Sequence, residues 1–246
     1  MSPEKKRTRT RAPRDPAAEL APAAGTPVTF IVGTDTNIGK TWVTAALARA
    51  LVAAGQRVVA IKPVETGCGP TLSPEEDGAV IAAATGQSQP RTALIRLHAP
   101  VAAAWAAEAE GVTIEVAALA EQIRNLSAGA DQALVELAGG LLSPLTWTED
   151  TLDLAHQLNG RALVVTSDRL GSINHTLLTI RVLRAERIPV LGVVLSAPEI
   201  QDESSGSNAE AIHRLAGIDA IITVPRVADP ARASEAVKEV AGWVMD

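Results

Sequence analysis

Tyrosine is missing from this 246-residue chain, and one phenylalanine and four tryptophans bring aromatic residues to only 2% while hydrophobic residues reach 47%. A core must therefore be filled by Ala, Val, Leu and Ile, and the aromatic platforms on which single-stranded nucleic acid stacks are nearly excluded. Cysteine is almost as scarce. The single Cys68 excludes an intramolecular disulfide framework and any multi-cysteine zinc or iron-sulfur site, and it agrees with a reducing, cytoplasmic location. Long apolar runs are lacking too: Arg49, His98 and Glu108 interrupt the Ala-rich stretches, so no membrane span is expected.

Positive charge is in deficit, with 22 Lys and Arg against 28 Asp and Glu for a net charge of -6. What there is gathers at the start. Residues 1–26 hold six basic residues (Lys5, Lys6, Arg7, Arg9, Arg11, Arg14), three acids (Glu4, Asp15, Glu19) and four prolines, which leaves little to bury and reads as a disordered basic tail. Such a tail is either simply solvated or binds polyanions weakly. It has no apolar segment for a secretory signal, and its acids argue against a transit peptide. Without the tail's +3 the remainder carries -9, so nucleic acid is not expected as a partner of the core.

From residue 28 onward, short β-branched runs alternate with helical periods, the pattern of a parallel sheet covered on both faces. Strands are expected at Val28 to Val32, Val58 to Lys62, Ala133 to Glu136, Ala162 to Ser167, Val190 to Leu195 and Ala220 to Val224. Helices are expected near 41–54, 77–85, 113–126, 151–158, 174–186, 208–215 and 232–243. The fold class is therefore α/β: a single doubly wound domain over 27–246, with ligands beyond the carboxyl ends of its strands.

The first strand runs into Gly33-Thr34-Asp35-Thr36-Asn37-Ile38-Gly39-Lys40-Thr41 and then into a helix. A loop of this kind turns backbone N–H groups toward a phosphate at a helix N-terminus, with Lys40 reaching the terminal phosphates and Thr41 offering its hydroxyl to Mg²⁺. It is a P-loop with one residue more than usual between Gly33 and Gly39. Lys62-Pro63-Val64-Glu65-Thr66-Gly67, at the end of the second strand, brings another cation toward the same place. Glu136 ends the run Ala133-Leu134-Val135 and precedes Leu137-Ala138-Gly139-Gly140. A carboxylate at that edge suits Mg²⁺, the alternative being an acid that faces solvent. Asp77 opens a helix, as a cap or as a metal ligand. Leu170-Gly171-Ser172-Ile173-Asn174-His175-Thr176 follows a strand and opens another helix, offering N–H groups to an anion or forming a plain cap.

These segments, in this order and spacing over roughly residues 28–230, resemble the dethiobiotin synthases, ATP-dependent P-loop enzymes of biotin biosynthesis. The resemblance implies an ATP- and Mg²⁺-dependent cyclo-ligase that joins 7,8-diaminononanoate and CO₂ into dethiobiotin, through a carbamate and a carbamic-phosphoric anhydride. It implies that Lys40, Lys62 and Thr36 are catalytic. Asn37, Ile38, Gly39, Lys40 and Thr41 would bind phosphate, with Ser196 and Pro225 completing the nucleotide site at two strand ends. Thr41, Asp77 and Glu136 would hold Mg²⁺. Substrate would be held by Lys62, Thr66 and Gly139, and its distant carboxylate by a helix N-terminus of the partner subunit in a homodimer, which here corresponds to Gly171, Ser172, Ile173 and Asn174. Two other readings stay open: a nucleotide-dependent switch of the partitioning or septum-positioning type, whose signature lysine is replaced by Asp35, and a dethiobiotin synthase relative with weakened chemistry.

Overall fold

The structure, a computed structural model, describes residues 25–225, 227 and 229–246. The basic tail read from the sequence lies outside them except for Gly25 and Thr26. Thr26 already belongs to the folded part, because its hydroxyl sits 2.7 Å from the Ser127 carbonyl and 3.1 Å from that of Ala130.

Six strands form one parallel sheet: β1 (Val28–Gly33), β2 (Val58–Ile61), β5 (Gln132–Gly140), β6 (Arg161–Ser167), β7 (Val190–Ser196) and β8 (Ile221–Val224). Their spatial order is β2-β5-β1-β6-β7-β8, with every neighbouring pair parallel. Alternation decides which side each residue buries. On β1, Phe30 and Val32 enter one core with Val135, Val164 and Leu195, while Ile31 enters the other with Leu134, Leu163 and Val194. The first core is closed by α4 (Val116–Ser127), α5 (Thr151–Leu158), α6 (Ser172–Ala185) and α7 (Asn208–Ala216). The second is closed by α1 (Lys40–Ala53), α2 (Asp77–Thr85), α8 (Pro230–Ala236) and α9 (Lys238–Met245). The doubly wound α/β architecture follows directly, since β-branched strands buried on both faces need helices on both.

Four features depart from the sequence reading. A second, two-stranded parallel sheet pairs β3 (Val64–Thr66) with β4 (Ile95–Leu97), strands too short to leave a periodic signal. The helix α3 (Ala103–Glu110) occupies a stretch for which none was expected, and the segment read as one helix over 232–243 is two helices meeting at Val237. The strand expected to stop at Glu136 continues to Gly140, with a register shift opposite β1 between the pairs Ile31↔Glu136 and Gly33↔Gly140. That shift brings Gly139 and Gly140 alongside the P-loop.

Candidate active site

The site gathers where β1 is flanked by β5, beyond the carboxyl ends. Gly39 precedes α1 at φ 96°, a left-handed conformation that disfavours any side chain. The place is tight as well: a Cβ on Gly39 would lie 2.7 Å from Ser196 Oγ. Lys40, only 7% exposed, folds back across Gly33, where a Cβ would meet its Nζ at 2.7 Å, and its ammonium donates to the Asp35 carbonyl at 2.7 Å. Burial, and after it the neighbouring charge of Lys62, lowers the Lys40 pKa to about 8.

Lys62 is held differently. Its Nζ donates to Asp77 Oδ2 at 2.7 Å and to Glu136 Oε1 at 2.6 Å, with the lysine side chain 4% exposed and the glutamate 0%. Burial alone would weaken its charge, but the two carboxylates outweigh that and raise its pKa. Asp77 answers in kind, since Lys62 overcomes the effect of burial and keeps the aspartate below its usual range. Thr41 Oγ1 completes the cluster at 2.7 Å from Asp77 Oδ1 and 2.9 Å from Glu136 Oε1.

Asp77 is placed by the small sheet. Glu65 on β3 accepts from the backbone N–H groups of Asp77 (2.6 Å) and Gly78 (2.9 Å), capping α2 from outside its own sequence. Its register partner Arg96 on β4 grips Glu76 with two hydrogen bonds of 2.6 and 2.7 Å. The residue before Asp77 and the two amides at the start of α2 are thereby fixed together. Sequence reasoning missed Glu65; its one signal was an acid inside the same segment as Lys62. Burial is the main influence raising the Glu65 pKa.

The donors of the cluster are hard oxygens, and Glu136 Oε2 is buried without a protein partner. Both observations fit a small divalent cation held by Thr41, Asp77 and Glu136. Leu137, adjacent on the strand, points to the opposite core and leaves that space clear.

The remaining sequence-predicted residues fall into four groups. Thr36 and Asn37 are exposed at the loop tip and Ile38 is buried beneath it; Asn37 has φ 54°, and Gly139 lies opposite the tip, so that a Cβ there would come to 3.8 Å from Thr36 Cγ2. Thr66 is half-buried at the end of β3. Ser196 is buried under Gly39, and Pro225 is exposed just past Val224, the register partner of Ser196. Gly171, Ser172, Ile173 and Asn174 open α6 beyond β6, on the other side of β1 from Lys62. Of these four, Ser172 lines a cavity of about 210 Å³ whose wall also includes Thr34, Asp35, Thr166, Arg169 and His175. Within one chain the α6 N-terminus and Lys62 are therefore not brought together.

The family model described as "AAA domain" matches residues 28–234. A curated ATP-dependent dethiobiotin synthetase from Anaeromyxobacter dehalogenans (strain 2CP-C) is 38% identical over 214 residues, 86% of this chain and 95% of that protein. Its counterpart from Aquifex aeolicus is 34% identical over 200 residues, 81% of this chain and 89% of that protein. Among solved structures, the septum site-determining protein MinD from Pyrococcus horikoshii OT3, complexed with Mg-ADP, matches with a TM-score of 0.55 at 19% identity, covering 88% of this chain and 94% of that one. A likeness at that identity speaks for the fold alone. Among the described residues no helix is long and apolar enough to cross a membrane.

Proposed function

The chain belongs to the ATP-dependent dethiobiotin synthetases, and from that premise we propose that it closes a cyclic urea on 7,8-diaminononanoate with CO₂ and ATP. One amine adds to CO₂ and loses a proton, giving a carbamate. A carbamate oxygen then attacks the γ-phosphorus and ADP leaves. Finally the second amine attacks the carbonyl of the mixed anhydride, phosphate departs, and dethiobiotin is released.

Negative charge builds on the carbamate and on the transferring phosphoryl group, and holding that charge is the main work left to the protein. Lys62 suits it because Glu136 and Asp77 keep its ammonium charged and aimed; this is the observation that carries the reading. Lys40, now resting on the Asp35 carbonyl, swings to the terminal phosphates, while the amides of Asn37, Ile38, Gly39 and Thr41 cradle them. Thr41, Asp77 and Glu136 hold Mg²⁺, which when bound supplies neutralisation of phosphate charge. Thr36 contacts the γ-phosphate, and Thr66 and Gly139 hold the carbamate and amine end. Ser196 and Pro225 border the nucleoside. In a two-fold dimer, Gly171, Ser172, Ile173 and Asn174 of the partner subunit receive the substrate carboxylate, a role supported by Ser172 Oγ, which is buried without a hydrogen-bond partner.

The test is ADP release with MgATP and bicarbonate, with and without the diamine, and product identification by mass. Diamine-dependent ADP release with the mass of one added carbonyl and two fewer hydrogens is expected. ADP release that ignores the diamine would replace this reading with the switch.

A further inference from the structure

The N-terminus of α6 depends on a loop it does not belong to. Asp168, just after β6, is buried (4% exposed). Its Oδ1 accepts from Asn208 Nδ2 at 2.7 Å and its Oδ2 from the Gly206 amide at 2.8 Å, while its own carbonyl accepts from Ser205 Oγ at 2.8 Å. Two residues on, the Leu170 amide donates to Asp202 Oδ2 at 2.9 Å. Asp202 is itself braced by the Ser204 hydroxyl at 2.6 Å and the Ser204 amide at 2.9 Å. Ser172 N–H then closes the turn onto the Arg169 carbonyl at 3.1 Å. Four hydrogen bonds thus tie 168–170 to 202–208, and 202–208 belongs to the connection that starts at Ser196, under the P-loop.

We propose that Asp168 and Asp202 are positioning residues that fix the Arg169–Ser172 turn against the β7–α7 loop and so set how tightly the α6 N-terminus grips the substrate carboxylate. The proposal rests on the reading of Gly171 to Asn174 given above. Neither aspartate touches substrate. A buried carboxylate that accepts two hydrogen bonds is costly to disturb, and the free amides of a helix start bind an anion well only while their directions are fixed.

The experiment compares kcat/KM for 7,8-diaminononanoate with that for 7,8-diaminononane, the same vicinal diamine with no carboxylate, in wild type, Asp168→Ala and Asp202→Asn. The wild type should prefer the acid. Asp168→Ala should reduce that preference about tenfold and Asp202→Asn about threefold, as expected when one or two hydrogen bonds orient the binding group, with activity on the carboxylate-free diamine and the KM for MgATP unchanged. A structural role alone would slow both diamines equally and leave the ratio where it was, which would overturn the proposal. A wild type indifferent to the carboxylate would instead remove the α6 subsite itself, and the proposal with it. Asp202 is exposed, so Asp202→Asn decides the matter even if Asp168→Ala fails to fold.

Discussion

Two lysines approach one site from strands on either side of β5, and the protein treats them in opposite ways. At the end of β1, Lys40 lies on its own loop, bonded to a neutral carbonyl, with burial lowering its pKa to about 8. At the end of β2, Lys62 is clamped between two carboxylates that raise its pKa. In the proposed function the first is an arm whose charge is satisfied when phosphate arrives. The other is already part of the scaffold, and its charge is needed to keep Glu136 buried. Removing each lysine should therefore injure different properties.

The largest effect is expected from Lys62→Ala, which strands Glu136 in the core without its counter-charge. Stability should fall by about 3–5 kcal/mol, read by denaturant unfolding, and turnover should vanish while the folded fraction still binds nucleotide. Lys40→Ala should leave stability unchanged or slightly higher, because no carboxylate depends on it, yet weaken MgADP binding by about 1.5–3 kcal/mol as a charged hydrogen bond is lost. Calorimetric titration of both variants separates the two roles; equal losses of nucleotide affinity would erase the contrast. Glu65→Gln sharpens it from behind, since an amide oxygen replaces a charged cap on α2. A loss of about 1 kcal/mol is expected, together with a higher Mg²⁺ requirement for activity because Asp77 is less well placed.

The smallest effect lies at the opposite end of the same strands, just before β2 and β5, where Arg57 and Asp131 pair at 2.6 Å in solvent. The hydrogen bond from the Arg57 side chain, followed by that from its amide, lowers the Asp131 pKa from 3.8 to about 2. A carboxyl lowered by folding stabilises the fold above its ordinary pKa and stops doing so as pH falls through the lowered one. The melting-temperature difference between wild type and Asp131→Asn should thus be small at neutral pH, shrink between pH 4 and 2, and be reduced by salt.

The sheet and its two-sided cover were legible because short β-branched runs, such as Val28 to Val32 and Ala162 to Ser167, and the helical periods between them are local signals. The P-loop was legible for the same reason, its glycines and lysine being contiguous. Glu65 and Asp168 were not. Each acts on backbone amides far along the chain, at Gly78 and Gly206, and nothing local in an acidic residue declares which distant N–H it will meet. Strands β3 and β4, of three residues each, were invisible because a period of two needs more length to register.

By itself the sequence determined the class of fold, the phosphate loop and the presence of a strand-end lysine and of a glutamate on a buried strand, all properties carried by short contiguous stretches. Tertiary structure alone decided that Lys62 would share Glu136 and Asp77 rather than face water, that a pair of three-residue strands would hold Asp77 in place, and that α6 would begin where the loop beyond β7 sets it. Those are choices of charge pairing and backbone direction across tens of residues, and they exist only once packing has removed the water that would otherwise satisfy each group separately.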